Sequence, residues 1–255
     1  MLLVIDVGNT HTVLGVYDGG MLVDNWRIAT QAHLTEDELG VLLRALFRAR
    51  EHIPISIDAA ILSSVVPPLT DTLVRMVKRY FSVRCRVVGP GLKTGMPILY
   101  ENPREVGADR IVNAVAAFER FAAGLIIVDF GTATTFDVVT PAGEYLGGAI
   151  TPGIGISSEA LFLHAARLPR VEFARPSSVV GRNTISSIQS GLVYGYVGLV
   201  DGLVTRMRAD VGFPCTVVAT GGLAALIAGE SATIEHVDEY LTLEGLRILH
   251  ARNAG

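Results

Sequence analysis

One phrase occurs twice in this chain, and it constrains the fold more than anything else in the sequence. Asp6-Val7-Gly8-Asn9-Thr10-His11-Thr12 and Asp129-Phe130-Gly131-Thr132-Ala133-Thr134-Thr135 stand nearly half of the 255-residue chain apart. Each follows a short apolar run, Leu2-Leu3-Val4-Ile5 or Leu125-Ile126-Ile127-Val128, which reads as a buried strand. A strand that ends in Asp and turns through Gly into small hydroxyl or amide residues presents backbone N–H groups and hydroxyls to a phosphate. The glycine lets the chain turn closely around the ligand, and the carboxylate can hold a metal ion or orient a water. Two copies imply two facing half-structures with a nucleotide clamped between them.

The segments around each copy predict the same plan. The opening reads as a meander: residues 2–6, then His11–Tyr17, an Asp18-Gly19-Gly20 turn, and Met21–Ala29. Thr35 and Glu38 form a capping-box pair that opens a helix to about Arg50, with Leu39, Leu42, Leu43, Leu46 and Phe47 on its apolar face. Strand Asp58–Val65, helix Thr70–Tyr80 and strand Arg84–Val88 follow, then a loop rich in Gly and Pro. A helix from about Pro103 to Phe121 leads into the second half. There the pattern returns: strand 125–129, strand Phe136–Val139, a Pro141-Ala142-Gly143 turn, strand Glu144–Ile150, helices near 155–166 and 184–209, strand Thr216–Ala219, Thr220-Gly221-Gly222, and C-terminal helices. Strands interleaved with crossover helices indicate an α/β fold. We expect two lobes, 1–118 and 119–255.

Composition removes several classes of function. Half of the residues are apolar and net charge is −4, with no run of five basic residues, so a nucleic-acid footprint is not expected. Only Lys78 and Lys93 among the 21 basic residues are lysines, and no Gly-Lys pair occurs, which excludes a P-loop. Any phosphate site must use backbone, hydroxyls, Arg and metal. Cys85 and Cys215 are far apart in predicted strands and read as reduced core thiols. No His/Cys cluster suggests zinc. The N-terminal apolar run is broken at Asp6, and no apolar helix is long enough to span a membrane, so a cytoplasmic location is expected.

Asp109 is the candidate catalytic residue. It precedes Ile111-Val112-Asn113-Ala114-Val115 and so enters the first turns of a largely buried helix, where an unpaired carboxylate is costly. It could instead pair with Arg110 or favour the helix N-terminus, although adjacent helical residues do not face each other. In the long helix, Gly191, Gly195, Gly198 and Gly202 fall on one face, at about 1 kcal/mol each relative to Ala. That cost predicts a close backbone neighbour, either a helix of the same lobe or a second subunit.

The chain resembles the type III pantothenate kinases, members of the actin, sugar-kinase and heat-shock-chaperone superfamily, over essentially its whole length. The residues that carry the resemblance are Asp6-Val7-Gly8-Asn9-Thr10, Gly107-Ala108-Asp109-Arg110, Asp129-Phe130-Gly131-Thr132-Ala133-Thr134, Gly147-Gly148-Ala149-Ile150-Thr151-Pro152-Gly153, Gly181-Arg182-Asn183-Thr184 and Thr220-Gly221-Gly222. The resemblance implies two ribonuclease-H-like (actin-like ATPase) lobes, each a mixed sheet flanked by helices, and a homodimer. It implies transfer of the ATP γ-phosphoryl group to pantothenate, the first step towards coenzyme A, with Mg²⁺ and a monovalent cation, K⁺ or NH₄⁺.

Roles follow from the same resemblance. Asp6 would hold Mg²⁺, through water, and Val7, Gly8, Asn9, Thr10, His11, Thr12 and Val13 would wrap the ATP phosphates. Thr132 would touch phosphate, and Gly221 and Gly222 would lie against the nucleotide. Asp109 would be the general base. Tyr100, Gly107, Ala108, Arg110 and Thr184 would contact pantothenate, Thr184 also serving as N-cap of the glycine-striped helix. Asp129 would ligate the monovalent cation. Two other readings keep the fold: a phosphatase of the exopolyphosphatase kind or a kinase for another small hydroxylated acid, and a non-catalytic regulatory relative.

Overall fold

The computed structural model describes residues 1–49 and 56–254. It divides into two compact units. Unit 1 comprises Met1–Met96, Glu101–Ala116 and Leu241–Gly255, and unit 2 comprises Pro97–Tyr100 and Ala117–Tyr240.

In unit 1, strands β1 (Leu2–Val7), β2 (His11–Asp18) and β3 (Met21–Ala29) form the meander. Strands β4 (Ala59–Ser64) and β5 (Cys85–Val87) complete a five-stranded sheet in the order β3-β2-β1-β4-β5. β2 runs antiparallel to both β1 and β3, whereas β4 lies parallel to β1 and β5 parallel to β4. The glycine of the first hairpin turn, Gly19, has φ +57, as a tight reversal requires. One face of the sheet presents Leu3, Ile5, Val7, Leu14, Val16, Ala60 and Leu62 to helices α1 (Glu36–Arg48) and α2 (Pro67–Phe81). The helices answer with Leu39, Leu43, Phe47, Leu69, Leu73, Met76 and Val77.

The α1 capping box is complete: the Glu38 N–H donates to the Thr35 hydroxyl, and the Thr35 N–H donates to the Glu38 carboxylate. The sequence reading carried this helix to about Arg50, which lies outside the described residues. α2 begins at Pro67, earlier than the predicted Thr70, because proline at a first helical position gives up an N–H that has no intrahelical partner anyway.

Unit 2 repeats the plan. β6 (Leu125–Phe130), β7 (Ala133–Val139) and β8 (Tyr145–Pro152) are antiparallel neighbours, and β9 (Thr216–Thr220) and β10 (His236–Val237) run parallel on the other side of β6. The order is β10-β9-β6-β7-β8, the same central position for β6 that β1 holds in unit 1. Helices α4 (Ile154–His164), α5 (Thr184–Val211) and α6 (Ala224–Ala228) flank this sheet. Leu192, Tyr196, Val200 and Val204 of α5 pack on Ile126, Val128 and Val217.

Three expectations change. The helix expected from Pro103 is two pieces, a single 3₁₀ turn at Pro103–Glu105 and α3 at Ala108–Phe121, with Val106 extended (ψ 123) and Gly107 separating them. The C-terminal helix α7 (Leu241–Arg252) groups with unit 1, although the sequence reading assigned all of 119–255 to the second lobe. Its Gly245 backs onto α3 so closely that a Cβ there would meet the Val112 carbonyl oxygen at 2.2 Å. Thr242 donates to the Asn113 side chain at 2.7 Å. Finally, Thr184 is the first helical residue of α5. The N-cap is Asn183, whose side chain accepts from the Ser186 N–H at 2.9 Å and whose extended backbone suits that role.

Cys85 and Cys215 are both buried and free. Burial pushes the Cys85 thiol up to about 12 and raises Cys215 as well, so neither is a nucleophile at neutral pH. No helix among the described residues is long and apolar enough to cross a membrane.

Candidate active site

The first phosphate motif is the β1–β2 hairpin. Asp6 is half-buried on the last turn of the pleat in β1, and Asn9 and Thr10 form the exposed loop tip with His11 beside them. The loop is held from inside: Gly8 N–H donates to the His11 carbonyl at 3.0 Å, and Thr30 donates from its hydroxyl to the Gly8 carbonyl at 2.7 Å. The Thr12 side chain is buried and its hydroxyl lies 2.9 Å from that of Thr30. Thr30 N–H also reaches the Thr10 carbonyl at 2.9 Å. Thr30 was not among the residues singled out from sequence, since a lone Thr after a strand carries no signal. Thr12 therefore supports the loop from within, and Val13 continues β2 opposite Asp6.

The second motif is the β6–β7 hairpin, one residue tighter. Phe130 pairs with Thr134, whereas Val7 pairs with Thr12. Gly131 N–H closes the turn on the Ala133 carbonyl at 3.1 Å. Thr132 is half-buried, and its carbonyl accepts from Gly153 N–H at 3.2 Å, just before α4. A Cβ on Gly153 would meet that oxygen at 2.2 Å, so only glycine permits the approach.

Asp129 is half-buried beside the turn after β9. Gly221, at φ +93, faces Asp129 Oδ1 and the Phe130 carbonyl oxygen; a Cβ would lie 2.8 and 2.7 Å from them. Oxygens converging on a glycine with no side chain form a cradle suited to a hard cation. Gly222 is exposed beside it.

Asp109 stands in the first turn of α3, half-buried, with Oδ1 accepting from the Arg110 N–H at 2.9 Å. Gly107 makes this possible, because a Cβ there would sit 2.5 Å from Asp109 Oδ1. Burial raises the Asp109 carboxyl above its ordinary value, and the Arg110 N–H and guanidinium only partly offset this. Arg110 is itself buried, and Ala108 is half-buried. A desolvated carboxylate whose proton affinity is raised has the character of a general base.

In unit 2, Tyr100 lies with its ring edge against Gly147, where a Cβ would be 3.1 Å away. The segment before it is fixed to β8 by Leu99 N–H to Tyr145 carbonyl and Tyr145 N–H to Pro97 carbonyl, both 2.8 Å. Thr184 lines an open groove of about 880 Å³ with Gly181, Arg182, Asn183, Leu161, Leu168, Ile188 and Tyr196.

Two hydroxyls are fully buried with no hydrogen-bond partner among the described residues, Ser63 Oγ and Thr134 Oγ1. No group of three or more His, Cys, Asp or Glu side chains that could cage a metal occurs among those residues.

The chain matches the family model for type III pantothenate kinase over residues 2–206. The chain belongs to that family. A type III pantothenate kinase from Myxococcus xanthus is 64% identical over 253 residues, 99% of each chain. Among solved structures, a Baf family protein from Campylobacter jejuni superposes with a TM-score of 0.62 at 16% identity, covering 99% of this chain and 98% of that one. An inorganic polyphosphate/ATP-glucomannokinase from an Arthrobacter strain gives 0.51 at 13%, covering 99% and 98%. At those identities the likeness concerns the fold alone, two mixed five-stranded sheets flanked by helices.

Proposed function

We propose that this protein, a pantothenate kinase by family, transfers the γ-phosphoryl group of ATP to the primary hydroxyl of pantothenate in coenzyme A biosynthesis. The observation that carries the reading is Asp109, a desolvated carboxylate held by the Arg110 N–H in the first turn of a helix. It accepts the hydroxyl proton as the new O–P bond forms and the bond from Pγ to the ADP oxygen breaks. Phosphoryl transfer through a loose transition state asks little of a base beyond positioning the nucleophile, and a carboxylate fixed in this way meets that demand. Arg110, with Gly107, Ala108, Tyr100 and Thr184, binds pantothenate, Arg110 through the carboxylate or hydroxyls.

The backbone of the Gly8–Val13 hairpin and Thr132 bind phosphate oxygens, and Gly221 and Gly222 let the chain approach the nucleotide. Asp6 would hold Mg²⁺ through water and Asp129 would hold K⁺ or NH₄⁺. Bound cations there neutralise charge that develops on the phosphates. The oxygen cradle at Gly221 is the feature that suits the monovalent ion. We place the enzyme in the cytoplasm as a homodimer.

ADP release tests the reading, with Mg-ATP and pantothenate in KCl or NH₄Cl against NaCl, and with pantothenate omitted. Release that needs both pantothenate and K⁺ or NH₄⁺ is the expected result. Release without pantothenate would replace the kinase with a phosphatase.

A further inference from the structure

Asp6 has a neighbour that the proposed mechanism does not use. In the parallel pairing of β1 and β4, Asp6 is in register with Ser63, so the two side chains share one face of the sheet. That face is opposite the one packed on α1 and α2, which takes Ile5, Val7 and Leu62. Ser63 is fully buried, and its Oγ has no hydrogen-bond partner among the described residues. The next residue is different: Ser64 Oγ accepts from Val66 N–H at 3.1 Å and lies 3.2 Å from the Val66 carbonyl, so its hydroxyl closes the turn into α2. An unsatisfied buried hydroxyl is costly, and at this position alanine would fit the packing without that cost.

Unit 2 places a hydroxyl in the same position. Asp129 of β6 is in register with Thr220 of β9, and Thr220 is also buried. Both strand-terminal aspartates therefore have a buried hydroxyl one rung away on the parallel neighbour.

We infer that Ser63 is a positioning residue for the divalent-ion site at Asp6, its hydroxyl orienting the Asp6 carboxylate or a metal-bound water once the ion is in place. The inference rests on the reading that Asp6 holds Mg²⁺. It accounts for a buried polar atom without a partner among the described residues on the parallel rung beside that carboxylate. Groups that orient metal ligands in this way are typically worth 10- to 100-fold in metal affinity.

The test is ATP binding followed by calorimetry, over a Mg²⁺ titration and in EDTA, for wild type, Ser63→Ala, Ser63→Thr and Asp6→Asn, with thermal unfolding of each ligand-free protein. Ser63→Ala should raise the Mg²⁺ concentration at half-saturation by roughly tenfold. ATP binding in EDTA should not change, and the ligand-free unfolding midpoint should stay level or rise. Ser63→Thr, which keeps the hydroxyl, should restore the wild-type Mg²⁺ response. If Asp6→Asn shifts the Mg²⁺ response and Ser63→Ala does not, the role of Ser63 is refuted and that of Asp6 stands. If Asp6→Asn shifts nothing, the reading of Asp6 fails and takes this inference with it. A lower midpoint for Ser63→Ala, with binding weakened equally in EDTA, would make Ser63 a packing residue and overturn the assignment.

Discussion

Gly221 leaves no room for a side chain beside the Asp129 carboxylate and the Phe130 carbonyl. Its φ is +93, and a Cβ would come within 2.8 Å of Asp129 Oδ1 and 2.7 Å of the Phe130 carbonyl oxygen. The Phe130 carbonyl cannot withdraw easily, because Phe130 is in ladder register with β7, so the Asp129 carboxylate is the neighbour that would have to move. The contact thus ties the strand that ends in the second motif to the turn after β9. Left-handed backbone of this kind costs a non-glycine residue roughly 1–3 kcal/mol. Gly221→Ala should therefore lose stability by that order and pull the Asp129 carboxylate out of place. We expect at least a tenfold rise in the K⁺ or NH₄⁺ concentration for half-maximal activity, read by cation titration beside a thermal melt. An unchanged cation response would remove Asp129 from the cation site.

Asp109 links activity and stability with opposite signs. Burial raises its folded pKa above the ordinary 3.8, so the ionised form is less favoured in the folded protein than in the unfolded chain. For a raised pKa, the contribution to stability is present below the unfolded value and is lost as pH rises through the folded value. At neutral pH the charge is a burden on the ligand-free fold. Asp109→Asn should raise the unfolding midpoint near pH 7 while lowering kcat by about 10²- to 10⁴-fold, with ATP binding retained. The acid limb of the kcat profile should also lie above the pH set by an ordinary aspartate, and it should vanish in the variant. Near-wild-type turnover by Asp109→Asn would end its assignment as base.

What the sequence revealed and what it hid divide along local and non-local lines. The paired Asp-x-Gly phrases, the α1 capping box and the alternation of strands are short-range signals, and all appear in the structure. Local signals failed where a residue's partner is remote. The helix expected from Pro103 is interrupted by the extended Val106, and at Gly107 beside it a side chain would crowd the Asp109 carboxylate. The C-terminal helix joins unit 1 because it packs on β1, β2 and β4, with Gly245 set against the Val112 carbonyl, and no pattern within the helix announces those contacts. Thr30 braces the first phosphate loop from just past the end of β3. The two motif copies also drift by one residue after the glycine, since Val7 pairs with Thr12 but Phe130 pairs with Thr134. Matching the copies letter by letter therefore puts His11 where Thr134 stands, although Thr12 is its structural counterpart.

His250 gives unit 1 a pH-dependent stability. Its Nδ1 lies 3.1 Å from Arg86 Nη1, and a guanidinium can only donate, so the ring nitrogen accepts. Burial first, and then the Arg86 charge, lower its pKa below 6.5, with Asp58 acting the other way. For a lowered pKa the contribution is present above the unfolded value and is lost as pH falls from about 6.5 towards the folded value. The unfolding midpoint should fall over that range, and His250→Gln should flatten this arm of the curve. A wild-type midpoint that does not vary there would show the histidine to be unperturbed.

The α4–α5 surface of unit 2 makes the dimer a matter of sign. α4 carries Ile154, Ile156, Leu161, Phe162 and Leu163 yet buries only Ile154. Leu163 is 63% exposed and Val180, ahead of α5, 75%. The glycine stripe on α5 meets no close neighbour in its own chain: a Cβ at Gly191, Gly195 or Gly198 would touch nothing within 4 Å. The sequence left a same-lobe helix and a second subunit as alternatives; no same-lobe neighbour lies within 4 Å of these three positions among the described residues, and we expect a second subunit there. In an isolated chain, Gly195→Ala should stabilise α5 by about 1 kcal/mol through helix propensity alone. At a subunit contact the added methyl should instead weaken association. We expect light scattering to show a wild-type dimer, and Leu163→Glu with Val180→Glu to give a folded monomer. Within that monomer background, Gly195→Ala should raise the unfolding midpoint, while in the dimer it should raise the dissociation constant. An active wild-type preparation that remains monomeric over a wide concentration range would refute the dimer. A Gly195→Ala variant that is stabilised without any change in association would move the interface away from the stripe.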